Sequence, residues 1–78
     1  MLTKDDILEF VRQSGADIAA QDGVYTKPLV ELGLDSLDIF NALNEVEKGT
    51  GVNIPDEQVE KLQTIEDILK FVLENSAR

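Results

Sequence analysis

The stretch DSLDIFNALNEVEKGTG, residues 35–51, decides how the rest of the chain is read. At about 100° per residue, Ile39, Phe40, Ala42, Leu43 and Val46 fall on one broad apolar face. Asp38, Asn41, Glu45 and Lys48 line the opposite side at spacings of three and four, with Asn44 at its edge. Asp35 is suited to be the N-cap. The pattern predicts a helix from Ser36 to about Lys48, ended by Gly49-Thr50-Gly51. Leu37 breaks this order. It stands among the polar residues, beside Ser36, where burial in a core does not account for it.

The same periodicity recurs on both sides. Thr3, with Asp6 three residues later, opens a first helix whose apolar arc is Ile7, Leu8, Phe10 and Val11, and Gly15 is suited to stop it. Residues 15–35 form a long connection, expected to be pinned to the core by Ile18, Val24, Leu29, Val30, Leu32 and Leu34, with a short helical turn around Asp17 to Ala20. Pro55, Asp56 and Glu57 suit the start of a short helix ending near Leu62. Thr64, with Asp67, caps a last helix striped by Ile65, Ile68, Leu69 and Val72. The expected fold is all α: a small four-helix bundle in one domain, residues 1–78, with three longer helices, one short helix and a long first connection.

Composition narrows the chemistry. The 78 residues include no Cys and no His, which excludes disulfides, thiolate nucleophiles, imidazole bases and the usual zinc sites. Asp35, Asp38 and Glu31 could be grouped as carboxylates, but a helix start without a cleft does not raise one pKa over another. No stretch spaces acids around a central glycine as a calcium loop requires. By this reading the chain is not an enzyme. Sixteen acids against 7 bases give a net charge of −9, which repels phosphate backbones, so no nucleic-acid partner is expected. Partners with basic patches are expected instead, because such attraction speeds encounter. No apolar run approaches the roughly 18 residues of a transmembrane segment. The opening MLTKDDILEF lacks the pattern of a secretory signal, so a cytoplasmic or organelle-matrix monomer is expected.

Ser36 remains. A small hydroxyl residue at a helix start has a local explanation as a cap, yet Asp35 already supplies the cap. Leu37 beside it suggests a contact surface. The hydroxyl also sits at the positive end of a helix dipole, which tolerates an attached phosphate.

LGLDSLD, residues 32–38, resembles the attachment motif of acyl carrier proteins, in which the serine after Asp receives 4′-phosphopantetheine. IPDEQVEKLQTIEDILKFV, residues 54–72, is similar to that family's third helix, Thr-capped turn and fourth helix, and the spacing from the serine also fits. Length, acidity and the lack of cysteine agree, so the likeness covers essentially the whole chain.

The resemblance implies that Ser36 carries the arm through a phosphodiester, installed from coenzyme A by a phosphopantetheinyl transferase whose magnesium is its own. Acyl groups would ride as thioesters on the arm's thiol and be presented to acyl-processing enzymes of fatty acid, polyketide or specialised lipid synthesis. Asp35, Leu37 and Asp38 match the motif around the serine and would be read by those partners. Asn41, Glu45, Glu47, Lys48, Asp56 and Glu57 extend the expected docking surface. Phe40, Ala42, Leu43, Val46, Ile54, Ile65 and Ile68 are expected to include the lining of an acyl pocket.

The sequence departs from the family at Asn41, Asn44, Lys48 and Gly49-Thr50-Gly51, where carriers of primary fatty-acid synthesis are usually more acidic. That leaves housekeeping and dedicated pathways both open. Two alternatives are an aminoacyl or peptidyl carrier and an acidic helical interaction module without a cofactor.

Overall fold

Three of the helices begin in the same way. Thr3 Oγ1 accepts the Asp6 N–H at 3.3 Å while the Asp6 carboxylate accepts the Thr3 N–H at 2.9 Å. Asp35 and Asp38 repeat the exchange at 2.9 and 3.2 Å, and Thr64 and Asp67 at 3.0 and 3.3 Å. Each exchange satisfies two backbone donors that a helix start otherwise leaves open, and puts a carboxylate at the positive end of the dipole. In a computed structural model, which describes residues 2–15, 18 and 23–76, the helices are α1 (Lys4–Gln13), α2 (Ser36–Thr50), α3 (Asp56–Val59) and α4 (Ile65–Ser76). The described residues contain no strand.

α1 packs against both α2 and α4. Ile7 and Val11 of α1, Ala42 and Val46 of α2, and Ile65 and Ile68 of α4 have no exposed surface and form the centre of the core. The long connection joins them through Ile18, Val24, Leu29 and Leu34, all buried, with Leu32 packed at the edge. Val30 is the exception to the expected packing. It is 64% exposed, because a 3₁₀ turn over Leu29–Leu32 points neighbouring side chains in different directions, and Leu29 takes the inward place. The helical turn expected around Asp17 to Ala20 lies, apart from Ile18, outside the described residues.

The connection is also held by its backbone. Leu29 donates its N–H to the Gln63 carbonyl at 2.7 Å, and the Tyr25 carbonyl accepts the Glu66 N–H at 3.0 Å. The Tyr25 hydroxyl donates to Asp5, and Lys4 Nζ lies 4.7 Å from the centre of the Tyr25 ring. These contacts bind the connection to both α1 and the start of α4.

Two boundaries differ from expectation. α2 runs through Gly49 to Thr50, and Gly51, at φ 75°, is the residue that ends it. Gly49 serves a different purpose: the Phe10 ring of α1 occupies the space where a β-carbon at Gly49 would stand. α3 is shorter than expected, because after Val59 the bonding changes. Lys61 donates to the Gln58 carbonyl at 2.9 Å in a turn that brings Leu62 into the core.

Candidate functional site

Ser36 is the first residue of α2. The 3₁₀ turn ends at Gly33, whose left-handed backbone (φ 98°) redirects the chain, and Leu34 then anchors it in the core. Asp35 is fixed as N-cap by its exchange with Asp38. Ser36 is thereby presented outward. Its side chain is exposed, and among the described residues no group hydrogen-bonds its hydroxyl. It does not act as the cap.

A cleft of about 410 Å³ opens beside this hydroxyl. Leu29 and Val30 form one wall, Ile39 lies on α2, and Val59 and Leu62 form the opposite wall. Ser36 stands at its rim. A larger cleft of about 630 Å³, lined by polar residues including Asn53, Gln58 and Asn75, lies near Thr50 at the other end of α2. At about 1.5 Å rise per residue that is some 20 Å from Ser36.

The residues expected to line an acyl pocket divide into two groups. Ala42, Leu43, Val46, Ile54, Ile65 and Ile68 are all buried in the core, and none of them lines the cleft at Ser36. Phe40 was expected on their face but is 45% exposed. It lies about 110° around α2 from the centre of the buried stripe, so it flanks the core and shares the side of Ser36. The cleft-lining residues Val59 and Leu62 were legible only as the end of a short helix. Leu29 and Val30 could be read as core but not as cleft.

The expected docking residues all lie at the surface, in different circumstances. Leu37 is 66% exposed, and Asn41, Lys48, Asp56 and Glu57 are exposed. Asp35 and Asp38 are occupied with each other's backbone, and Glu45 pairs with Lys48 at 3.8 Å. Glu47 is partly exposed and engaged within the chain: its carboxylate accepts the Ile54 N–H at 2.7 Å and fastens the loop after α2. Among the described residues no group of three or more acids is arranged to hold a metal ion. No described helix is long and apolar enough to cross a membrane.

Ser36 thus stands outward at a helix start beside an apolar cleft, with no hydrogen-bond partner among the described residues. Comparison with known proteins identifies the family. A family model described as the phosphopantetheine attachment site matches residues 9–72. The acyl carrier protein of Rubrobacter xylanophilus is 31% identical over 78 residues, covering 95% of this chain and 96% of that protein. The acyl carrier protein of Thermosynechococcus vestitus is 36% identical over 75 residues, covering 91% and 93%.

The solution structure of the acetyl actinorhodin acyl carrier protein from Streptomyces coelicolor shares the fold. Its TM-score is 0.78 at 24% identity, over 97% of this chain and 92% of that one. The chain belongs to the acyl carrier protein family. Its cofactor is phosphopantetheine, it is a carrier rather than an enzyme, and its family works by interacting with processing enzymes.

Proposed function

We propose that Ser36 is the attachment point of the 4′-phosphopantetheine arm, and that the chain holds acyl intermediates on that arm for enzymes of fatty acid, polyketide or specialised lipid synthesis. The observation that carries this reading is the exposed Ser36 hydroxyl, without a hydrogen-bond partner among the described residues and set beside an apolar cleft, in a chain of the phosphopantetheine attachment family. The bound group supplies the thiol that a chain without cysteine lacks.

The residues present fit such a group. A phosphodiester at Ser36 stays in water and meets the positive end of the α2 dipole, so no charge is buried. Leu29, Val30, Ile39, Val59 and Leu62 offer apolar surface to whatever extends along the cleft. Asp35 and Asp38 hold the start of α2 in place, so the backbone that carries the hydroxyl is presented in one conformation. That lowers the conformational cost of bringing it to an incoming active site.

Acyl shelter is energetically reasonable for so small a bundle. About eight buried carbons at about 0.8 kcal/mol per CH₂ gain roughly 6 kcal/mol before any rearrangement. A domain of this size has a total stability of about 4–12 kcal/mol, so the two are comparable.

Intact mass after incubation with coenzyme A, magnesium and a phosphopantetheinyl transferase tests the assignment. The wild type gains one phosphopantetheine group and Ser36→Ala gains none. Failure of the folded wild type to gain mass with several transferases would return Ser36 to being a helix start.

A further inference from the structure

The cleft of about 630 Å³ near Thr50 is set apart by its chemistry. In a chain with 16 acids and 7 bases, none of the described residues lining it is ionisable. Asn53, Gln58 and Asn75 contribute carboxamides, and Phe71 contributes a half-buried ring. A carboxamide carries a donor and an acceptor, as a peptide group does. Asn75 donates to the Phe71 carbonyl at 2.8 Å and keeps its own oxygen, while the Asn53 and Gln58 carboxamides have no partner among the described residues. A charged ligand meets no counter-charge in this lining.

The backbone points to the same kind of ligand independently. Residues 51–55 join α2 to α3 without helix or turn. Val52 and Ile54 are buried and Asn53 between them is exposed, the period of two that an extended chain gives. The Val52 N–H is taken by Thr50 Oγ1 at 3.2 Å, and the Ile54 N–H by the Glu47 carboxylate at 2.7 Å. Asn53 keeps both its N–H and its carbonyl without a partner among the described residues. In an extended residue these two groups point to one side, and they are the pair that a residue of an adjoining strand exchanges.

We propose that this cleft receives an extended peptide segment of a partner protein, which pairs one residue with the Asn53 main chain and lays an uncharged side chain on Phe71. The pairing is one residue long, because the N–H groups on either side are taken, and the Gln58 and Asn75 carboxamides continue it. Recognition of this kind draws its affinity from main-chain bonds and its specificity from the side chain that meets the pocket. Asp56, Glu57 and Glu74 adjoin lining residues and are exposed, so the segment beyond the cleft is neutral or basic. Lys70, beside Phe71, lines a separate groove with Lys4. The site does not depend on the role of Ser36. On the reading of Ser36 as the attachment point, a partner held here leaves the arm free, because the cleft lies about 20 Å away at the far end of α2.

The test is affinity selection of the full chain against a displayed library of short peptides randomised over uncharged residues. The selected sequences, synthesised with capped ends, are then titrated into nitrogen-labelled chain by NMR. The backbone amides of Asn53, Gln58, Phe71 and Asn75 are expected to shift and saturate, with Ser36 unmoved. Asn53→Pro removes an N–H that bonds nothing within the described chain, and is expected to weaken binding about tenfold, whereas Asn53→Ala costs no more than about threefold. Melting curves check that each variant is folded. Methylating the peptide N–H that faces Asn53 removes the same pairing from the other side, without altering the chain, and is expected to cost about tenfold as well.

A library that yields no binder, or binders that shift the Ser36 end of α2 instead, would overturn the proposal. So would equal losses for Asn53→Pro and Asn53→Ala with no effect of peptide methylation, since the main chain would then not be read. Saturating shifts of the same four residues by maltose would assign the cleft to a neutral sugar and overturn it too. Each of these results leaves transfer of the arm to Ser36 untouched, and a chain that never accepts the arm leaves the peptide titration standing.

Discussion

The Glu47 carboxylate accepts the backbone N–H of Ile54 at 2.7 Å, and this one bond joins the last turn of α2 to the buried residue that leads into α3. A hydrogen bond to a charged, half-buried group contributes about 1–2 kcal/mol. Glu47→Ala is accordingly expected to lower the melting temperature by several degrees, at about 4–8 °C per kcal/mol. Glu47→Gln, which keeps an acceptor, loses less. Thermal melts of the two variants check this, and an alanine variant that melts with the wild type would remove the bond from the account.

Gly49 gives the opposite of the usual result for a helical glycine. Replacing Gly with Ala in an exposed helix gains up to about 1 kcal/mol. Here the new β-carbon collides with the Phe10 ring, and overpacking of this kind costs about 1–3 kcal/mol. Urea unfolding of Gly49→Ala should show a net loss of about 1 kcal/mol. A more stable variant would mean that the Phe10 ring swings aside freely.

The phenol of Tyr25 is raised from its ordinary 10.0, first by its hydrogen bond to Asp5, then by partial burial and the Asp5 charge, with Arg12 opposing. The folded state thus holds the Tyr25 proton more tightly than the unfolded chain does. Its contribution to stability is complete below pH 10.0 and is lost as pH rises through the raised value. Above pH 10.0 the wild type should lose stability more steeply than Tyr25→Phe. Parallel alkaline melting curves for the two proteins would disconnect the Asp5 contact from stability.

Sixteen acids against 7 bases leave the folded chain repelling itself. Added salt or divalent cations should raise the melting temperature. A melting temperature indifferent to ionic strength would show that the charges are too well spread to matter.

A loaded chain should melt above one with an unloaded arm, by an amount that grows with acyl length while the cleft and the core beside it can take more carbon. Calorimetry on a homologous series reads this directly. No difference between loaded and unloaded forms would mean that the cargo stays in water.

The helices were legible because their signals are local. Thr3 with Asp6, Asp35 with Asp38, and Thr64 with Asp67 are each three residues apart, and the apolar stripes recur within single turns. Ser36 was legible for the same reason, since its neighbours Asp35 and Leu37 adjoin it. The cleft was not. Val30 and Val59 are brought to it by the bond from Leu29 to Gln63, a contact between residues far apart in the chain that no periodicity records. The outward turn of Phe40 was hidden by its place at the flank of α2, where the apolar pattern of the stripe includes it but the packing does not. Glu47 looked like any surface acid because its partner is a backbone N–H, which every residue but proline carries.

The cleft at Ser36 has walls of unequal strength. The side bearing Leu29 sinks Leu29 and Leu34 into the core, and the Leu29 N–H is bonded to the Gln63 carbonyl beyond the opposite wall. The other side is α3, four residues long, with no side-chain cap and no buried residue within it, followed by the turn that carries buried Leu62. α3 is therefore the part of the cleft that the core holds least, and the part whose displacement uncovers the least buried surface.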